Sequence, residues 1–165
     1  MSISDALLSE FDREMATTRR VLERVPDENP DWRPHPKSFP FSHLAQHVAA
    51  IPGWVIVTLS DTKLDLAAGA GNDYRPRTTA QVLELFDENV RQAREAILAA
   101  KDSDYDVLWS LQMRDHVIYT LPRAAVFRQH MNHLIHHRGQ LTVYLRLRDI
   151  PVPSVYGPSA DEAWG

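Results

Sequence analysis

Cysteine is absent from this chain of 165 residues, and that absence excludes several functions. No disulfide can form, no thiolate of the chain can bind a metal, and no cysteine can act as a nucleophile. A metal site must therefore use nitrogen or oxygen ligands, and sulfur chemistry must use a thiol from outside the chain. Histidine, in contrast, occurs eight times.

Positive charge and long apolar runs are also scarce. The formal net charge is −4, which argues against a protein that binds nucleic acid by phosphate attraction. The longest weakly polar run, residues 48–59, is too short to span a bilayer. Residues 1–5 lack the basic start and apolar core of a signal peptide, so we expect a cytoplasmic protein with no membrane partner. The length suits one domain over 1–165, with an extended C-terminal tail over 149–165.

Four histidines fall within the eight residues 130–137. His133 and His137 are four residues apart, so on a helix they lie on the same face with Cβ atoms about 5–6 Å apart. Both imidazoles can then point at one metal ion. His130 falls on a neighbouring stripe, and His136 is turned about 100° away from His137. We therefore predict that the metal-binding pair is His133 and His137.

A third ligand is needed, because two imidazoles rarely hold a metal by themselves. His47 lies in an apolar run, where a polar ring needs a metal or a hydrogen-bond partner. The alternative interpretation is a hydrogen-bonded core histidine. His43, one turn earlier, also competes as the third ligand, but it lies at the fraying start of its helix. His47 is therefore the preferred third ligand.

The apolar pattern predicts four helices, which cover about 4–25, 42–60, 78–97 and 122–148. Ser4 and Ser42 are the predicted N-caps of the first two, and Thr78 with Gln81 forms a capping box for the third. Long connections rich in proline or glycine occupy 26–40 and 60–77. Pro52 predicts a kink in the second helix. In the fourth, Gly139 suggests close helix packing or substrate access.

Two segments lack a helical period. Between 102 and 121 the apolar residues alternate around a predicted turn at Arg114 and Asp115, so a short β-hairpin is an alternative there. After Asp149, closely spaced prolines predict an extended tail that packs back across the helices. This tail either straps the core or, through Tyr156 or Asp161, borders the metal site.

The motif His133-x-x-x-His137 followed by Arg138-Gly-Gln140, with a histidine on the second of four helices, resembles the DinB-like damage-inducible family. That family includes thiol-dependent S-transferases. The resemblance covers nearly the whole chain, including the tail over 151–162. It implies an all-α four-helix bundle with long crossover connections and the metal ligands His47, His133 and His137. It also implies a homodimer, which outward-facing apolar residues favour as well.

Three histidines leave a tetrahedral metal with one open position, which is the catalytic arrangement. Two classes of metalloenzyme are excluded by the residues around them. A zincin protease needs a glutamate where Leu134 follows His133. A di-iron bundle needs a glutamate three residues before a histidine ligand, and the chain has Leu44, His130 and Leu134 at those positions.

The leading hypothesis is a metal-dependent transferase or hydrolase-like enzyme acting on a small molecule. The expected cofactor is one divalent transition metal, such as Zn, Ni, Fe(II) or Cu(II). The resemblance adds a low-molecular-weight thiol, whose thiolate the metal would bind and activate. The rival hypothesis is a non-catalytic, metal-binding stress protein that acts as a dimeric binding module. No catalytic residue beyond the metal ligands is predicted.

Several side chains could support the ligands or shape the site. Candidates for the hydrogen bonds that orient the ligating rings are Gln46, Gln129, Asn132, Gln140, Asp161 and Glu162. Arg138 suits either an anionic partner or an interhelix salt bridge. Trp54 and Tyr144 could wall a pocket or simply pack in the core.

Overall fold

The computed structural model of the chain describes residues 2–69 and 74–163. Within them, four long helices account for most of the chain: α1 (Ile3–Leu22), α2 (Phe41–Ser60), α4 (Thr79–Ala99) and α5 (Arg123–Leu147). A short helix, α3 (Leu66–Gly69), follows the first of three strands, which are β1 (Lys63–Asp65), β2 (Leu108–Met113) and β3 (His116–Pro122). A 3₁₀ turn, Asp102–Asp106, precedes β2.

The prediction of an all-α four-helix bundle is wrong, because the helices are accompanied by a mixed three-stranded sheet. The strand order is β1-β2-β3, with β1 parallel to β2 and β2 antiparallel to β3. The alternative of a β-hairpin is confirmed, and Arg114 adopts a left-handed conformation (φ 55°) at its turn. The cause is the alternating apolar pattern, which lets one face of the hairpin cover α5 while the other meets solvent.

Two of the predicted helix starts are wrong by two residues. Ser2, not Ser4, caps α1, because Ser2 places Asp5 at the position that completes a capping box. Ser4 is instead buried, and its hydroxyl donates to the Ala100 carbonyl. Helix α2 begins after Pro40, so Ser42 lies within it. The Thr78–Gln81 capping box of α4 is confirmed.

Helix α2 is the central element of the core, since it packs against both α4 and α5, while α1 covers the other sides of these two helices. Pro52 lies within α2 without ending it. At the next residue, a Cβ on Gly53 would come within 2.8 Å of the Asn89 side chain. Asn89 uses that space to donate a hydrogen bond to the Ala49 carbonyl at 2.9 Å. None of the described helices combines the length and apolarity needed to cross a membrane.

The tail after α5 packs back across the helices, as predicted. Arg146 forms an ion pair with Asp161, whose carboxylate also accepts a hydrogen bond from the Val152 amide at 2.8 Å. Arg20 of α1 pairs with Glu162. These contacts attach the tail to both α1 and α5.

Candidate metal centre

The structure brings together the three histidines that the sequence singled out. His47 of α2 faces His133 and His137 of α5, and one ring nitrogen from each lies within 4.8 Å of those of the other two. The Nε2 atoms of His47 and His133 are 3.0 Å apart. Neighbouring ligands of a tetrahedral zinc ion, with Zn–N bonds of about 2.0–2.1 Å, have nitrogens roughly 3.3 Å apart. The spacing therefore fits a single small metal ion.

Gln140 orients one of the three rings. Its side-chain oxygen accepts a hydrogen bond from Nδ1 of His137 at 2.7 Å. With the proton on Nδ1, the lone pair of Nε2 is left free to bind a metal. Metal-ligating histidines commonly have such a partner on the second nitrogen. Of the candidate supporting residues, Gln140 is the one that contacts a ligand ring.

The rings are held in the neutral form that metal binding requires. Burial lowers the pKa of His47 to about 4, and the nearby rings of His137, His133 and His43 add to that shift. Burial is also the first cause that lowers the pKa of His133 and of His137. In His137 the hydrogen bond to Gln140 opposes this effect. The three imidazoles are therefore available as ligands near neutral pH.

Aromatic rings border the histidine cluster on two sides. Phe39, in the connection before α2, lies 5.9 Å from His47 and 6.4 Å from His137 between ring centroids. Trp54 of α2 meets His47 and His133 edge-on at 5.6 and 5.3 Å. Of the two alternatives for Trp54, a pocket wall or core packing, the structure supports the pocket wall. The role of Phe39 was not predicted, because its position in a proline-rich connection gives no periodic signal.

The remaining candidate histidines lie outside the cluster. His43 stacks on Tyr74 with ring centroids 4.4 Å apart, and it is not part of the group of converging nitrogens. His136 contacts His137 at a ring-centroid distance of 4.9 Å, but its side chain is exposed. His35 and His116 are also exposed.

His130 is a buried histidine with a protein partner. Its Nε2 lies 2.9 Å from the hydroxyl of Thr58, which itself donates to the Trp54 carbonyl. Since that hydroxyl proton is already used, His130 donates Nε2–H to Thr58. Burial, with a smaller contribution from His133, lowers the pKa of His130 to about 4. His130 is thus the hydrogen-bonded core histidine that had been the alternative for His47.

A cavity of about 760 Å³ adjoins the cluster, and His133 and His137 line it. Its polar side belongs to α5, which also contributes Gln129, His130, Asn132 and His136. Its other side is apolar and comes from three parts of the chain. Trp54 and Val57 belong to α2, Leu64 and Leu66 to β1 and α3, and Trp109, Leu111 and Tyr119 to the hairpin.

The sheet wall of this cavity was not predicted from sequence. The alternation through Trp109 and Leu111 was visible, and it favoured the hairpin. What the pattern could not show is that this hairpin lies against the histidine face of α5. The position of Leu64 was still less predictable, because β1 has three residues and is held by parallel pairing with β2.

Other predicted site residues have structural roles. Arg138 forms a buried ion pair with Glu14 at 2.8 Å, so the interhelix salt bridge is the confirmed alternative. Tyr144 packs against Trp32 and Phe41 in the core and does not line the cavity. The tail, through residue 163, contributes nothing to the cavity lining, so the proposal that Tyr156 or Asp161 borders it is not supported.

Gly139 follows the candidate ligand His137 by two residues on α5. A Cβ added there would meet no heavy atom within 4 Å. Within the described part of the chain, therefore, no other helix packs closely at Gly139. Its position is exposed.

The three nitrogen donors indicate the class of metal, a divalent transition metal, but do not single out one element. Three imidazole nitrogens suit Zn, Ni, Fe(II) or Cu(II), whereas Mg and Ca prefer oxygen ligands. No carboxylate joins the converging group among the described residues. The neutral rings and the oriented His137 fit a divalent transition metal.

Comparison with known proteins extends these observations. The model of the DinB family matches residues 1–164. The uncharacterised protein YrdA of Bacillus subtilis (strain 168) is 30% identical over 159 residues, which is 96% of this chain and 90% of that protein. Among solved structures, a DinB-like protein from Bacillus cereus ATCC 10987 has a TM-score of 0.73 and 23% identity, covering 94% of this chain and 98% of its own. The DinB-like protein YjoA from Bacillus subtilis has a TM-score of 0.66 and 16% identity, over 89% and 96% of the two chains.

Proposed function

Because this chain belongs to the DinB family, we propose that His47, His133 and His137 bind one divalent transition metal in a metal-dependent enzyme. The reaction proposed is the transfer of a low-molecular-weight thiol to a small molecule, or a related hydrolysis. The observation that carries the proposal is the convergence of three neutral imidazole nitrogens within 4.8 Å beside a cavity.

The arrangement supports a catalytic rather than a purely structural site. Three ligands leave a tetrahedral metal with one open position. Two of the three ligands, His133 and His137, line a cavity large enough for a small molecule. When bound, the metal supplies Lewis acidity, which favours the deprotonated form of a thiol or water at the open position.

The chain itself contributes binding, orientation and exclusion of water. Gln140 fixes the His137 ring, and Trp54 and Phe39 pack against the ligand rings. The apolar wall of the cavity keeps water away from an occupant. Thiol chemistry is favoured over a reaction of the protein's own sulfur because the chain has no cysteine.

Elemental analysis after metal loading and exhaustive dialysis tests the metal site. The wild-type protein should retain about one divalent metal per chain, while His133→Ala and His137→Ala should retain almost none. His136→Ala is the matched control on the same helix and should retain the metal. Full occupancy in either ligand variant would show that the wrong histidines were chosen.

A second pair of variants tests the third ligand. His47→Ala should lose the metal, and His43→Ala should keep it, because His43 stacks on Tyr74 instead of facing the cluster. The opposite result would move the ligand by one turn of α2. Conjugation of small electrophiles by metal-loaded protein and added thiols then separates the enzyme from the rival metal-binding protein. A metal-loaded protein that accelerates neither thiol transfer nor hydrolysis favours the rival.

The proposed assembly is a homodimer. Exposed apolar side chains on the last turns of α5 support it, since Val143 and Leu147 are 55% and 56% exposed. Light scattering should give about twice the chain mass at micromolar concentration. A single-chain mass across that range rules the dimer out.

A further inference from the structure

The cavity beside the histidine cluster is divided by chemistry into two sides. Among the described residues that line it, every amide and imidazole side chain belongs to α5. The lining residues on α2 and in the strand region are aliphatic or aromatic, and their polar atoms are the Tyr119 hydroxyl and the indole N–H groups of Trp54 and Trp109. The division follows from the fold, because the hairpin packs against α5 and β1 extends the same sheet by pairing with β2. An occupant therefore meets mainly polar groups at one side and mainly aliphatic and aromatic groups at the other.

Fixed charge is missing from this lining. Among the described residues, no lysine, arginine, aspartate or glutamate lines the cavity. Away from the proposed metal, an anionic or cationic group against the wall formed by α2 and the strands would lose hydration without gaining a counter-charge, which is strongly unfavourable. An uncharged apolar group gains free energy by leaving water in the same place. The cavity thus discriminates by charge as well as by shape.

We propose that the cavity selects molecules with an uncharged, apolar or aromatic body, and that the sheet is the element that determines this specificity. The body packs against Leu64, Trp109, Leu111 and Tyr119, and the polar head group faces α5 and its histidines. The volume of about 760 Å³ lies within the range of roughly 300–1,000 Å³ for sites that bind drug-sized ligands. The head-group part of the proposal rests on the proposed metal site, while the apolar body does not.

The expected gain in binding affinity can be stated for each carbon of the ligand that becomes buried. Burial of one methylene is expected to tighten binding by about threefold to fourfold. Benzyl mercaptan should therefore bind at least roughly tenfold more tightly than 2-mercaptoethanol, and more tightly still than the anionic 2-mercaptoethanesulfonate. These three thiols share one head group, so their differences report on the cavity wall.

The first experiment measures thiol binding to the Co²⁺-loaded protein by its charge-transfer absorption. Because the chain has no cysteine, any thiolate-to-cobalt band must come from the added thiol. The expected order of affinity is benzyl mercaptan, 2-mercaptoethanol, then 2-mercaptoethanesulfonate. An anionic thiol that binds as tightly as benzyl mercaptan overturns the proposal.

The second experiment does not need the metal. The neutral fluorescent probe N-phenyl-1-naphthylamine should bind saturably to both metal-free wild-type protein and His133→Ala. Leu111→Lys, which places a charge on the cavity wall, should weaken this binding at least roughly tenfold. Leu108→Lys is the matched control, because Leu108 lies on the same strand but is 60% exposed and does not line the cavity. Leu64→Lys tests the same wall from β1 if Leu111→Lys does not fold.

The two experiments separate the two proposals. Loss of metal binding with normal, wall-dependent probe binding defeats the metal site and supports the apolar cavity. Normal metal binding with no preference for apolar thiols defeats the cavity proposal and leaves the metal site standing. Absence of saturable probe binding, or equal binding by the Leu111→Lys and Leu108→Lys variants, also overturns the cavity proposal.

Discussion

Two polar clusters lie side by side on α5, and they differ in how many of their polar groups have a hydrogen-bond or ion-pair partner within the chain. On one side, Arg138 is 1% exposed and forms an ion pair with Glu14, donates to the Thr18 hydroxyl at 3.1 Å, and donates to the Tyr156 hydroxyl at 2.7 Å. The Tyr156 hydroxyl in turn donates a hydrogen bond to the Glu14 carboxylate at 2.9 Å, so Tyr156 links the two charged groups. Each charged group there has a partner within the chain.

The polar atoms of the histidine cluster on the adjacent side do not all have partners of this kind among the described residues. Its three ring nitrogens converge, yet a single hydrogen bond between His47 and His133 is all that they can share among themselves. A neutral imidazole has one donor and one acceptor, so the three converging nitrogens cannot all find partners among themselves. The comparison teaches that the buried charges of Arg138 and Glu14 serve the fold, whereas the less buried, neutral histidines keep the unused nitrogens that the proposed metal site requires.

The largest expected effect breaks the satisfied cluster. Arg138→Met removes the guanidinium and leaves the Glu14 carboxylate buried without its partner, so the free energy of unfolding should fall by about 3–5 kcal/mol. Denaturation in urea measures it. The control is Arg128→Met, which breaks an exposed pair with Glu10 and should cost about 1 kcal/mol or less. Equal small losses would contradict the structural role of Arg138.

The pH dependence of stability tests the neutral histidines. The folded pKa of His130 is about 4, below its ordinary value of 6.5, so the unfolded chain binds more protons between these values. The stabilisation is fully present above pH 6.5 and is lost as pH falls towards 4. For His130 alone the loss is about 3 kcal/mol. It should be visible in metal-free protein.

Comparison with His130→Gln isolates this contribution, because glutamine can keep the hydrogen bond to Thr58 but does not titrate. Unfolding curves of the two proteins at pH 7 and at pH 4.5 measure the difference. The wild-type protein should lose more stability than the variant. Parallel losses would show that His130 is not held neutral by the fold.

A smaller effect concerns the orientation of a ligand. Gln140→Ala removes the acceptor for Nδ1 of His137, and metal affinity should fall by roughly 10–100-fold. Competition with a chromophoric chelator measures that affinity. Gln129→Ala, on the same helix but without a hydrogen bond to the three rings, should change it little. An unchanged affinity in Gln140→Ala would remove the support that this contact gives to the metal site.

The smallest expected effect tests whether the Arg138 cluster and the histidine cluster act independently. Tyr156→Phe removes one hydroxyl from the satisfied cluster, so the free energy of unfolding should fall by about 0.5–1.5 kcal/mol. Metal affinity should stay within about twofold, because the tail does not line the cavity. A tenfold change in metal affinity would instead return the tail to the metal site.

Much of this arrangement follows from local sequence rules. The four long helices, the Thr78–Gln81 capping box and the turn at Arg114 follow from periodicity and capping chemistry. The pairing of His133 with His137 follows from helical spacing, and their convergence with His47 matches the resemblance to the family.

The unpredicted parts depend on contacts between distant segments. Strand β1 exists because Lys63–Asp65 pairs with β2, more than 40 residues away, and its three residues carry no period of their own. The cavity wall depends on the same pairing. Whether Arg138 faced a ligand or Glu14 was likewise decided by the packing of α1 against α5, which helical spacing on α5 alone could not determine.

Gly139 lies in the helix that carries both clusters, at a position where the chain gives up some helix stability. A glycine inside a helix is less favourable than alanine by about 1 kcal/mol, and open space around this position means that no neighbour requires it. Natural proteins are held above a threshold of stability and not at its maximum. Position 139 therefore keeps a less stable helix than alanine would give, although a side chain can be added there without any change to the core of the chain.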